Sequence, residues 1–172
     1  STMQTMLLSS DAPSTPALPP MPAIDRSAYE CVTTIEALDR WIAEARAAHV
    51  VGIDTETASL DSVTGDLVGV SMAVAPGKAC YIPLGHGGTD MFAEKPDQIA
   101  MDAAIERLRT LFADDAVLKV GHNLKYDIGV LAQHDVTVAP YDDTLVMSFA
   151  LDAGKHQHGL DELAKLHLDH TC

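Results

Sequence analysis

Hydrophobic and polar positions change period several times along this chain, and each change marks an element. Residues 29–33 read as a short strand. Ile35, Leu38, Trp41 and Ile42 then recur at helical spacing behind Thr34, whose hydroxyl suits an N-cap, so a helix is predicted through about Ala48. Residues 50–55 open with the apolar run Val50-Val51-Gly52-Ile53, which suits a buried strand. Residues 67–75 alternate well enough for a long strand and 80–83 for another, with Gly77 between them as a hairpin turn. A Gly- and Asp-rich loop follows over 85–97, then an amphipathic helix over 99–112 with Ala103, Ile105, Leu108 and Leu111 among its apolar positions. Residues 117–120 form a short buried strand, and helices are predicted over 123–133, 143–151 and 160–168. Hairpin strands first and strand–helix alternation later imply an α/β fold, a mixed sheet flanked by helices.

Composition adds limits. With 47% hydrophobic and only 5% aromatic residues, Leu, Val, Ile and Ala must fill the core. The length of 172 residues reads as one domain over 25–172, behind a Ser/Thr/Pro-rich segment 1–24 with five prolines between Pro13 and Pro22. That segment buries too little apolar surface to order itself and reads as a disordered linker. No stretch reaches the roughly 18–20 apolar residues of a membrane span. Met6-Leu7-Leu8 is too short for a signal peptide and lacks a preceding basic region. Cys31, Cys80 and Cys172 are scattered, which points to a reducing cytoplasm and neither a disulfide framework nor a zinc site. The net charge of −14, with 11 Lys and Arg, lacks the basic face usual for a nucleic-acid protein. Cations held by carboxylates reverse a field locally, so acidity leaves nuclease chemistry open. It also implies a weak grip on nucleic acid by this piece alone, with a basic partner domain supplying most of the affinity.

The candidate chemistry lies in Asp54-Thr55-Glu56. An extended backbone repeats every two residues, so Asp54 and Glu56 leave one face and Thr55 the other. Two carboxylates side by side at the tip of a buried strand repel each other unless a divalent cation sits between them. Hard oxygen ligands suit Mg²⁺ or Mn²⁺. An isolated Asp-x-Glu more often begins a solvated loop; the later sequence reverses that balance. In Lys119-Val-Gly-His-Asn123-Leu-Lys-Tyr-Asp127 a short strand ends at Gly121 and a helix begins near Asn123, so Asn123 and Asp127 share one helical face.

These two segments, in this order, resemble the first and second exonuclease motifs of the 3′→5′ proofreading domain of bacterial family A DNA polymerase I, a branch of the DEDD exonucleases. Leu67-Val-Gly-Val-Ser, Tyr81-Ile-Pro-Leu and His158-Gly-Leu-Asp161-Glu-Leu-Ala are similar to that family as well, and the resemblance spans residues 29–172. It implies a ribonuclease H-like fold and two-metal hydrolysis at the 3′ end of single-stranded or frayed DNA. In that scheme Asp54 bridges two cations (Mg²⁺ or Mn²⁺), Glu56 ligates one, and Asp127 holds the other through water. Asn123 and Thr55 join the substrate-binding residues, and Leu60 packs against the terminal base. The implied parent is a cytoplasmic, nucleoid-associated bacterial polymerase with 5′-nuclease and polymerase domains.

The family's fourth carboxylate, carried as Tyr-x-x-x-Asp, has no counterpart after Asp127, since Tyr141 is followed four residues later by Leu145. By the resemblance that helix lies beyond Cys172, which predicts weak or absent hydrolysis by this piece. A non-catalytic module supporting a polymerase domain and an RNA-trimming exonuclease of the same superfamily are the alternatives. His156-Gln-His158-Gly-Leu-Asp161 imitates a histidine-type third motif, but Asp161 stands only 34 residues after Asp127. The commoner fate is that Asp161 caps or begins the last helix and the histidines are surface residues. Asp142-Asp143-Thr144 reads as a helix cap or as an extension of the acidic site. Lys125 and Tyr126 read as substrate-backbone contacts or as an exposed helix face.

Overall fold

The computed structural model of the chain describes residues 25–59, 65–87 and 97–171. The predicted linker 1–24, Leu60 and all but the ends of the 85–97 loop lie outside the described residues. After a 3₁₀ turn at Arg26–Ala28 come β1 (Glu30–Cys31), α1 (Ile35–Ala48), β2 (Val50–Thr57), β3 (Leu67–Ala75), β4 (Lys78–Pro83), α2 (Met101–Phe112), β5 (Leu118–Gly121), α3 (Leu124–Ala132), β6 (Tyr141–Asp143), α4 (Thr144–Asp152) and α5 (Leu160–Leu168). The strands form one sheet in the order β1-β4-β3-β2-β5-β6. β2, β3 and β4 pair antiparallel, while β1 on β4, β5 on β2 and β6 on β5 are parallel. The expected mixed sheet flanked by helices is therefore present.

Local chemistry explains the borders. Thr34 Oγ1 accepts from Ala37 N at 3.3 Å to start α1, and His49 ends it in the left-handed region at φ 57°. Trp41 is buried with its indole N–H donated to Glu30 Oε2 at 3.0 Å, so its one polar atom has a partner. Gly77, at φ +75°, turns β3 into β4 in a conformation that side chains resist. Alternation along β2, β3 and β4 sends Val51, Ile53, Val70, Met72, Cys80 and Ile82 to one face, where they are buried in one core with Leu38, Trp41 and Ala45 of α1 and Leu108, Leu111 and Phe112 of α2. Leu124, Val130 and Leu131 of α3 join the same core.

Three differences from the sequence reading affect the site. β2 runs on to Thr57, so Asp54 and Glu56 lie inside the strand, paired with Ser71 and Gly69, rather than at its tip. The carboxylates can sit there because β5 pairs with β2 only from Val50 to Gly52 and leaves that edge open beyond. β6 was not foreseen: two of its three residues are acidic, and it joins the sheet through backbone pairing of Tyr141, Asp142 and Asp143 with Lys119, Val120 and Gly121. β1 is shorter than expected, just Glu30 and Cys31.

Candidate active site

Where β5 stops, the open edge of β2 is taken by a side chain. Thr55 N–H and Thr55 Oγ1 both donate to Asp127 Oδ1, at 2.8 and 2.6 Å. Thr55 is buried on the core side of β2 and Asp127 is 3% exposed, so this contact is sealed from water. It fixes the second motif on the first across 72 residues of sequence. Burial pushes the Asp127 carboxyl up, the two Thr55 bonds oppose that, and the Asp143 charge adds to the rise.

Asp54 and Glu56 emerge on the opposite face, both exposed. Asp54 is pushed from 3.8 to about 6, first by loss of hydration and then by the negative charges of Asp127 and Glu56. Asp54 therefore feels the charges of both Asp127 and Glu56. Among the described residues, no group of three or more His, Cys, Asp or Glu side chains stands already arranged to hold a metal ion. The donor set nevertheless fits a hard cation. All three are carboxylates, the charges of Asp127 and Glu56 both bear on Asp54, and one divalent ion there would offset them.

α3 begins one residue later than predicted. Asn123 is its N-cap in the left-handed conformation (φ 63°), a region Asn tolerates, and its exposed side chain makes no capping bond. Leu60 lies outside the described residues. Beside Asp54 runs a groove of about 400 Å³ with Gly52, Ser71 and Ala73 on the sheet and Thr144 and Leu160 on the far wall.

Several residues that shape the site were missed or misread from sequence. Asp143 does cap α4, donated to by Leu145 N, but it also accepts from Asn123 N at 3.0 Å and Leu124 N at 2.9 Å, so one carboxylate holds the starts of two helices. The Tyr126 hydroxyl bonds Thr57 Oγ1 at 2.5 Å and Ser59 O at 2.8 Å, packing onto the first motif rather than lying on a free helix face. Lys119 is wholly buried, its ammonium donating to the carbonyls of Asp114, Val117 and Ala139. His158 is buried, not a surface residue. Its Nδ1 pairs with Ser148 Oγ at 2.7 Å and its ring lies 3.9 Å from that of Phe149. Asp161 falls in the first turn of α5, as one of its two readings had it. A repeating apolar pattern carries no signal for any of these tertiary contacts.

The sheet order and its flanking helices define a ribonuclease H-like nuclease fold. Escherichia coli RNase D, an exoribonuclease involved in structured RNA processing, superposes with a TM-score of 0.62 at 18% identity, covering 84% of this chain and 34% of that one. Brucella melitensis NrnC gives 0.62 at 23% identity over 84% of this chain and 61% of its own. Identities this low speak to the fold alone. Residues 29–171 match the family described as 3′-5′ exonuclease, and the chain belongs to that family. DNA polymerase I of Rhizobium leguminosarum is 42% identical over 160 residues, covering 86% of this chain and 16% of that protein. DNA polymerase I of Pseudomonas aeruginosa is 36% identical over 146 residues, again covering 16% of its length. The chain is a 3′-5′ exonuclease domain, and it spans about a sixth of those curated relatives. Among the described residues, no helix is long and apolar enough to cross a membrane.

Proposed function

We propose that this domain removes nucleotides from the 3′ end of single-stranded or frayed DNA within a bacterial DNA polymerase I, with Asp54, Glu56 and Asp127 holding Mg²⁺ or Mn²⁺. The observation that carries the reading is the pair of hydrogen bonds from Thr55 to Asp127, which holds the second motif against the strand that bears Asp54 and Glu56. When bound, paired cations would favour deprotonation of the attacking water and offset charge on the departing 3′ oxygen. The chain's own residues set the stage for this. Thr55 orients Asp127 by spending both its backbone and hydroxyl donors on one carboxylate oxygen. Its place in substrate binding is thus indirect. Asn123 keeps an exposed amide, uncommitted to the helix cap, for the nucleotide chain. Leu60 packs against the terminal base, and a 3′ end must leave its stack before its phosphodiester reaches the carboxylates. The polymerase and 5′-nuclease domains of the parent supply most of the grip on DNA in the bacterial cytoplasm, because this chain carries a charge of −14. Without a Tyr-x-x-x-Asp after Asp127, hydrolysis by the 172-residue chain is weak.

Calorimetric titration with Mn²⁺ tests this. Wild-type chain binds the ion and Asp54→Ala does not; a wild-type chain with no Mn²⁺ affinity refutes the reading. Brisk Mg²⁺-dependent shortening of a 5′-labelled oligonucleotide by the purified chain would refute the expectation of weak hydrolysis.

A further inference from the structure

Tyr81 sits on β4 directly across from Ser71, which in turn pairs with Asp54, so its side chain leaves the sheet on the carboxylate face. The phenol leans over Gly69. A Cβ built on Gly69 would stand 2.1 Å from the Tyr81 hydroxyl oxygen, so that oxygen occupies the space of a missing side chain. Gly69 is the cross-strand partner of Glu56. Directly opposed Cβ positions lie about 4.5–5.5 Å apart, which puts the phenol oxygen within one side-chain length of the Glu56 carboxylate. Consistent with this, burial first and then the Glu56 charge push the Tyr81 hydroxyl above its usual range.

The phenol is also held in place. It shares a hydrogen bond of 2.7 Å with His86 Nε2, the two rings meeting edge-on at 5.8 Å. His86 is fixed in turn by Gln98, whose amide accepts from His86 N at 3.0 Å and donates to His86 O at 3.1 Å. Such a chain of support is far more than a surface tyrosine needs for packing alone.

We infer that Tyr81, braced by His86, is a positioning residue for Glu56: His86 Nε2–H donates to the phenol oxygen, and the phenol O–H donates to the Glu56 carboxylate, turning it toward Asp54. The inference rests on the proposed cation site. Partners that orient a ligating carboxylate commonly change metal affinity by about 10–100-fold when removed.

The test is Mn²⁺ titration of the full chain, with circular dichroism confirming the fold. Tyr81→Phe keeps the ring over Gly69 and loses only the hydroxyl; its Mn²⁺ dissociation constant rises about 10-fold. His86→Ala gives a rise of similar sign, and His86→Gln, with an amide N–H near the Nε2 position, recovers much of it. Rescue of that kind would not follow from loss of packing. Wild-type affinity in Tyr81→Phe, with binding abolished in Asp54→Ala, overturns the inference and leaves the site reading standing. A wild-type chain that ignores Mn²⁺ overturns both.

Discussion

The two faces of the central sheet are built from the same strands and behave oppositely. Val51, Ile53, Val70, Met72, Cys80 and Ile82 face α1 and α2, each 5% exposed or less. Among their neighbours one residue along, Gly52, Asp54, Ser71, Ala73 and Ala79 are small or charged and line the groove, while Glu56, Gly69 and Tyr81 share the same face through the strand register. The first set lowers free energy by leaving water. The second forgoes that gain and leaves room beside two carboxylates. Because the side-chain period is two, a one-residue slip in β2 would bury the acids and expose the core, so the packing of one face fixes the register of the other. Stability on the inner side is what holds the outer side's mutual repulsion in place. Thr55 is the point of contact between the two, a core-facing residue whose hydroxyl serves a carboxylate.

The strongest way to sharpen that contrast is to delete from the inner side. Trp41 is 1% exposed and among the largest fully buried side chains. Trp41→Ala is expected to lose about 3–5 kcal/mol in urea unfolding, from transfer and cavity effects together. Ser71→Ala, on the groove side, should stay within about 0.5 kcal/mol of wild type. Equal losses at the two positions would mean the faces differ less than their burial suggests.

The acidic residues divide in the same way, and Asp143 belongs with the structure rather than the chemistry. Its carboxylate accepts from Asn123 and Leu124 at the start of α3 and from Leu145 and Val146 at the start of α4. Losing one helix cap costs typically about 1 kcal/mol, so Asp143→Ala should lose about 2 kcal/mol. Amide exchange should accelerate at those four N–H groups while the core of α1 stays protected. A loss confined to α4 would show that the α3 contacts contribute little.

β2 was legible because an apolar β-branched run ending in Asp-x-Glu leaves few other ways to bury Val51 and Ile53. α1 was legible because Thr34 and the stripe behind it agree on one start. β6 was not, since Tyr141-Asp142-Asp143 has no apolar pattern and becomes a strand only when β5 offers its backbone. The buried strand at 117–120 was legible, but not how it tolerates Lys119, whose ammonium is met by the carbonyls of Asp114, Val117 and Ala139. That Asp54 and Glu56 leave one face of β2 was legible by alternation. What alternation could not convey is that Asp127 reaches β2 through Thr55, or that Tyr81 crosses Gly69 toward Glu56. Both depend on where a neighbouring strand stops or a neighbouring side chain is missing.

Thr55→Val tests the link between the faces with little change of shape. It removes the 2.6 Å hydroxyl bond to Asp127 and keeps the backbone bond. A hydrogen bond to a charged group contributes about 1.5–3 kcal/mol, and the surviving backbone donor places this loss near about 1.5 kcal/mol. The buried Asp127 carboxyl then rises further, because one of the contacts opposing burial is gone. Its titration, followed by NMR, should move upward in the variant. An unmoved titration would mean that the backbone donor alone sets it.

The smallest effect is the most specific to the outer face. Asp54 ionises at about 6 in the fold against an ordinary 3.8, so the folded chain holds this proton more tightly than the unfolded chain does. Between those two values the native state binds more protons, and stability must fall as pH rises. The contribution of neutral Asp54 is therefore complete below about 3.8 and lost on passing about 6, above which the ionised carboxylate works against the fold. Asp54→Asn removes the charge at every pH. It should be more stable than wild type at pH 7.5 by about 1 kcal/mol, a figure reduced for the solvent at this exposed edge, and the gap should close near pH 4. Mn²⁺ should reverse the order at pH 7.5, because the ion stabilises only the chain that keeps its carboxylate. A gap constant across pH, or one untouched by Mn²⁺, would place Asp54 beyond the reach of the Asp127 and Glu56 charges.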